Sequence, residues 1–150
     1  MTNRAVLQGP LGPMTLHEGA GRISAMDWHA FPGQGSAVLD EALRQLSAYF
    51  AGKLTDFDLP IDYGSGFQER VARAMAAIPF GRTRTYGDLA KDIGVNAQAI
   101  GQACGANPLP ILIPCHRVLG ATTLGGFSAK GGVEAKVYLL KHEGAASLLI

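Results

Sequence analysis

Pro114-Cys115-His116-Arg117 is the stretch whose residue types and spacing could do chemistry. A thiol followed at once by an imidazole and a guanidinium sits in a positive neighbourhood, which favours the nucleophilic thiolate. The alternative for any single Cys is a buried structural role. The flanking sequence favours the nucleophile. Leu109 to Ile113 is a short apolar run bracketed by prolines, and it reads as a buried strand with Cys115 at its mouth. Adjacent residues on an extended chain point opposite ways, so direct contact between Cys115 and His116 would need a turn.

Other chemistries fit less well. Cys104, Cys115, His116 and His142 lack the paired spacing of zinc ligands, so no metal is expected. Two cysteines do not make a disulfide framework, and a reducing cytoplasm fits them best. No apolar stretch approaches the roughly 20 residues of a membrane span, and no apolar signal-peptide core follows the N-terminus. A Cys-His hydrolase would bring its pair together from distant positions and needs an oxyanion hole, for which no motif is apparent. The net charge is only +1, but its distribution is uneven. Residues 1–60 hold four Lys and Arg against six Asp and Glu, whereas residues 61–150 hold nine against six. The C-terminal part therefore carries the positive field that phosphates favour.

The elements that must position the thiol can be read in order. Residues 4–30 read as strands, with turns at Leu11-Gly12-Pro13 and at Gly19 to Gly21. His17 and His29 read as partly exposed sheet residues. Ser36 caps a helix carrying Leu39, Leu43, Leu46 and Phe50, and Gly52 stops it. Thr55 to Gly66 has little periodicity and reads as a linker, which divides the chain into 1–60 and 61–150. Beyond it, Phe67, Val71, Ala74, Met75 and Ile78 form an apolar helical stripe. Thr85 and Asp88 open a short helix, Tyr86 to Ile93, ended by Gly94. Asn96 opens another, Ala97 to Cys104, and the pair makes a helix-turn-helix pattern. A Gly-rich loop from Gly120 to Gly132 leads to a last helix bearing Val133, Val137 and Leu140. The fold class is α+β: a small sheet-and-helix lobe, then a mainly helical lobe whose short strand carries the nucleophile.

Together with Ile78-Pro79-Phe80-Gly81, Thr85-Tyr86-Gly87-Asp88-Leu89-Ala90, Asn107-Pro108 and His142-Glu143-Gly144, the Pro114-Cys115-His116-Arg117-Val118 stretch resembles the O6-alkylguanine-DNA alkyltransferases. The resemblance runs from about Phe67 to Gly144. It implies a ribonuclease-H-like N-terminal lobe and direct, stoichiometric DNA repair without a cofactor. An alkyl group would pass from O6 of guanine in duplex DNA to Cys115, with O4 of thymine a candidate second target. A monomer is expected. The resemblance implies that His116 draws the thiol proton through a water, that Glu143 orients His116, and that Asn107 braces the turn carrying Cys115. It makes Tyr86 the donor to N3 of the flipped base and puts Ser128 at the O6 edge. It assigns the backbone carbonyls of Cys115 and Val118 to the exocyclic amine. Arg117 is grouped with the binding residues but is expected to make structural hydrogen bonds.

The helix from Ala97 is rich in small residues: Ala97, Ala99, Gly101, Ala103 and Gly105. One reading is close packing against a neighbouring helix. The resemblance implies instead that this face enters the minor groove. Relatives carry an arginine there that fills the gap left by the base, and Gln98 stands at that place. Gln is shorter and uncharged, though it can still donate and accept hydrogen bonds. Two further departures are Phe127 at a usual tyrosine and the extra Ala129-Lys130 beside Ser128. A second functional reading follows from relatives called alkyltransferase-like proteins, which lack the cysteine and sense lesions. The presence of Cys115 argues against that reading.

Overall fold

The computed structural model describes residues 3–127 and 132–145. The chain divides into two compact units, residues 1–62 and 63–150.

The first unit is an antiparallel meander with one helix. Strands β1 (Asn3–Gly9), β2 (Gly12–Gly19) and β3 (Arg22–Asp27) pair in sequence order, with a bulge at His17/Glu18. Helix α1 (Ala37–Phe50) packs on the sheet, and Leu39, Ala42, Leu46 and Tyr49 join Met14, Leu16 and Ile23 in its core. Ser36 caps α1 by accepting from the Leu39 amide and also donates to Glu18, which ties the helix start to β2. His17 Nε2 meets Asp27 Oδ2 at 2.6 Å, a pairing within the sheet. The segment after α1 lacks regular structure, as expected, but it is held. Gln45 is buried and exchanges two hydrogen bonds with the backbone of Asp58. Ile61 then bridges Ile23 in parallel.

The second unit starts with α2 (Gly66–Ala76), followed by β4 (Arg84–Thr85), α3 (Tyr86–Ile93) and α4 (Ala97–Gly105). Val71, Ala72 and Met75 of α2 are buried, but Phe67, expected in the stripe, lies at the surface because it falls in the first turn. α2 also satisfies free carbonyls at its neighbours' C-termini. Gln68 donates to Ala103 O and Arg70 to Ile93 O. Both short helices are fixed by local chemistry. Thr85 and Asp88 form a reciprocal capping box, Asn96 accepts from the Ala99 amide, and Gly94 turns the chain at φ 87°.

The apolar run before Cys115 is not a strand. Residues 108–113 form a series of turns, buried from Leu109 on, and Ile111, 1% exposed, takes φ 76°. Positive φ is costly for a β-branched side chain, and the prolines at 108, 110 and 114 leave no ladder to join. Cys115 opens a one-turn 3-10 helix, Cys115–Arg117, and the short strand follows it as β5 (Val118–Leu119), parallel to β4. Helix α5 (Val133–His142) closes the unit with Leu139 and Leu140 buried, whereas Val133, at its first turn, is exposed.

The turn between α3 and α4 allows a clean test. A Cβ on Gly94 would meet nothing within 4 Å, so its cost is backbone strain alone. Gly94→Ala should lower unfolding free energy by about 1 kcal/mol in urea titration. No change would mean that the turn relaxes to an ordinary conformation.

Candidate active site

Cys115 is buried and lines a cavity of about 450 Å³ together with Tyr86, Gly101, Cys104, Gly105, Gly126 and Phe127. Residues of α3, α4, the 3-10 turn and the loop after β5 thus converge on one space. The turn is held from below by Asn107, itself buried. Its Nδ2 donates to Ile113 O at 2.8 Å and its Oδ1 accepts from the Leu109 amide at 3.0 Å. A buried loop must satisfy its backbone groups somewhere, and here one side chain does much of it. Asn107 also favours the ionised form of the thiol.

Behind the thiol lies a buried charge cluster. Glu143, at the end of α5, accepts from Arg117 Nε on Oε1 and from an Arg117 terminal nitrogen on Oε2, at 2.8 and 3.0 Å. His116 Nε2 lies 2.8 Å from the same Oε2. A carboxylate only accepts, so Nε2 carries the proton and Nδ1 is the bare nitrogen. Nδ1 is buried and has no hydrogen-bond partner among the described residues. Burial lowers the His116 pKa below 6.5, against the opposing pull of Glu143, so the ring is neutral at pH 7. The Ile78-Pro79-Phe80-Gly81 stretch serves this cluster. Ile78 O accepts from the remaining Arg117 nitrogen at 2.7 Å, and the Phe80 ring lies 5.9 Å from the guanidinium carbon. Gly81, at φ 80°, brings its α-carbon so close that a Cβ would stand 3.2 Å from Glu143 O.

This geometry corrects one expectation. His116 and Arg117 do not acidify the thiol: the imidazole is neutral and the guanidinium is committed to Glu143. Burial pushes the Cys115 thiol up, opposed by the Asn107 hydrogen bond and the charge of Lys136. Arg117 is 5% exposed, so the structure sets it among supporting groups and not on the binding surface.

Lys136 is the residue that sequence reasoning missed. Fully buried on α5, it donates from Nζ to Val118 O at 2.7 Å and Gly126 O at 3.1 Å, and burial brings its pKa down to about 8. The available signal was a lysine one turn before both Leu139 and Leu140, on the face that the helix buries. Val118 O is therefore already engaged once.

Tyr86 begins α3 and lies over the cavity, its hydroxyl pKa raised mainly by burial. Gly125 packs so closely against its ring that a Cβ would come within 2.8 Å. Ala97 and Gln98 are exposed on α4, and Ala99 and Gly101 partly so. A Cβ at Gly101 or Gly105 would meet nothing within 4 Å, so these glycines are not small in order to pack against another helix. Cys104 is buried against Met75, its Sγ 3.5 Å from the Met75 sulfur, and burial pushes its thiol up to about 12. Ser128 lies outside the described residues. No group of His, Cys, Asp and Glu among the described residues could hold a metal ion.

The sequence model of the 6-O-methylguanine DNA methyltransferase DNA-binding domain matches residues 66–145, and that of the family's ribonuclease-like domain matches residues 4–63. The chain belongs to the 6-O-methylguanine DNA methyltransferase family. A methylated-DNA–protein-cysteine methyltransferase of Mycobacterium tuberculosis is 41% identical over 160 aligned positions, covering 95% of this chain and 93% of that protein. The crystal structure of the O6-methylguanine methyltransferase from that bacterium superposes with a TM-score of 0.83 at 35% identity, over 100% of this chain and 97% of that one. A structure of Mycobacterium tuberculosis OGT in complex with DNA gives the same TM-score at 38% identity, covering 95% and 93% of the two chains. No helix among the described residues is long and apolar enough to cross a membrane.

Asn107→Ala would strip two buried backbone groups of their partners. Each orphaned group costs about 1–3 kcal/mol, so the variant should lose about 3 kcal/mol of stability by urea unfolding. A loss below about 1 kcal/mol would show that the loop re-forms its bonds without this side chain.

Proposed function

We propose that the protein repairs DNA by moving an alkyl group from O6 of guanine onto Cys115, once per molecule. Family membership makes it a methylated-DNA–protein-cysteine methyltransferase. The observation that carries the finer reading is the shared cavity. The Cys115 thiol, the Tyr86 ring and the bare face of α4 line one space, while the His116–Glu143 pair stands behind the thiol. Its volume, about 450 Å³, falls in the range of small-ligand sites, which supports the entry of one base.

The chemistry needs the thiolate, and the thiol is held protonated by burial. His116 supplies the base: Nδ1 draws the proton through a bridging water while Glu143 holds the ring in that tautomer. The sulfur attacks the alkyl carbon. The S–C bond forms as the C–O6 bond breaks, and the electron pair goes to guanine. The Tyr86 hydroxyl donates toward N3 as that charge develops, and in net balance the thiol proton ends on guanine. A thioether is not a leaving group here, so the protein turns over once. It needs no cofactor, because the acceptor is its own side chain.

O6 of a stacked, paired guanine is out of reach of a buried thiolate, so the base must leave the helix. The exposed face of α4, with Gly101 and Gly105 open to solvent, supports close approach to the minor groove. Gln98 on that face would hydrogen-bond the orphaned cytosine. The excess positive charge of residues 61–150 supports this part as the DNA-binding and catalytic lobe. The similar OGT structure with DNA supports the same partner. Every group in the scheme comes from one chain, which supports a monomer, and a free thiol nucleophile suits a reducing cytoplasm.

The test is intact mass after incubation with a duplex carrying O6-methylguanine. The parent should gain one methyl group, located on Cys115 by peptide mapping, and Cys115→Ser should gain none while still binding the duplex. Tight binding by the parent with unchanged mass would overturn transfer and leave a lesion sensor.

A further inference from the structure

A buried cation stands beside the nucleophile and takes no step in the scheme above. Lys136 is fully buried, and its ammonium is fixed by the carbonyl oxygens of Val118, which follows the 3-10 turn, and Gly126, which lines the cavity. Among the described residues no carboxylate pairs with it. The nearest buried carboxylate of the site, Glu143, is committed to Arg117 and His116. A buried charge without a counter-ion is unfavourable, and a neutral donor could tie the two carbonyls equally well. The charge itself therefore calls for an explanation.

The groups facing it narrow the choice. Tyr86 of α3 presents its ring, 5.8 Å from Nζ, and burial keeps its hydroxyl protonated. Cys104 of α4 interacts with the ammonium but is held as a thiol against Met75. His116 on the 3-10 turn feels the charge and is neutral. Cys115 on the same turn is the remaining group that can carry a negative charge, and it feels Lys136 directly.

We propose that Lys136 is the counter-ion of the Cys115 thiolate, a positioning residue that acts through the sulfur from its fixed place against Val118 and Gly126. This rests on the reading of Cys115 as the alkyl acceptor. The charges then balance: Arg117 neutralises Glu143, and Lys136 neutralises the thiolate once the thiol proton has gone.

The experiment measures Cys115 ionisation without DNA, as the pH dependence of carboxamidomethylation by iodoacetamide, mapped to Cys115 by peptide mass. In Lys136→Met the thiol pKa should rise by about one unit, slowing alkylation about tenfold at fixed pH, and Lys136→Arg should restore most of the loss. A lysine that merely ties the loop would lower the melting temperature of both variants and leave the thiol pKa unmoved, which would overturn the proposal. If the Met variant does not fold, Lys136→Gln decides, because its amide can still donate to the two carbonyls without a charge: alkylation of Cys115 at pH 7 should slow about tenfold, and an unchanged rate overturns the proposal. A thiol that responds to Lys136 in a protein that takes no methyl from DNA would support this inference and overturn the functional reading instead.

Discussion

The site depends on one carboxylate kept out of water. Glu143 is 4% exposed, and a buried carboxylate is tolerable only where its charge and its lone pairs are met. Arg117 meets the charge with two hydrogen bonds, and His116 takes a third. This arrangement links the parts of the second unit. The chain end of α5 supplies the acid, the 3-10 turn supplies both donors, and the segment after α2 supplies the Ile78 carbonyl that holds the guanidinium. Because the carboxylate fixes which imidazole nitrogen carries a proton, the other is left bare. Charge satisfaction and the imidazole tautomer are thus settled by the same three side chains.

The nucleophile's own position is set by a different device. A strand would have placed Cys115 in a ladder, with its neighbours pointing away. The turns at 108–113 instead bury an irregular loop whose backbone Asn107 satisfies, and the loop ends in a turn of helix. That turn puts Cys115 toward the cavity and His116 toward Glu143. A buried thiol is a poor acid, and burial alone would leave it inert. Two groups from separate elements oppose that push: Asn107 from the loop and Lys136 from α5.

Much of this unit was legible where the determinants are local. Helices α3 and α4 were found to within a residue because capping side chains and Gly94 act on their own neighbours. The small residues of α4 were visible too, but only the open space around Gly101 and Gly105 separates an exposed face from a packed one. The run from Leu109 to Ile113 was misread because a short apolar segment looks the same as a strand or as a buried loop. Positive φ at Ile111 is imposed by tertiary packing, and nothing in its side chain announces it. Lys136 was missed because lysine usually lies in water, and its burial depends on carbonyls 10 and 18 residues away in sequence. The expected acidifying role of Arg117 failed for a similar reason, since its partner lies 26 residues on.

The central claim is that burial keeps His116 neutral against the pull of Glu143, while Glu143 fixes the proton on Nε2 and leaves Nδ1 bare. Nitrogen-15 NMR of histidine-labelled protein at pH 7 tests it most directly. The account predicts a protonated, pyrrole-type signal for Nε2 and an unprotonated, pyridine-type signal for Nδ1, with both nitrogens becoming protonated only as pH falls below the ordinary histidine value of 6.5. A proton on Nδ1 at pH 7, in either the other tautomer or a full imidazolium, would contradict it, because Nδ1 would then have no lone pair for the Cys115 proton.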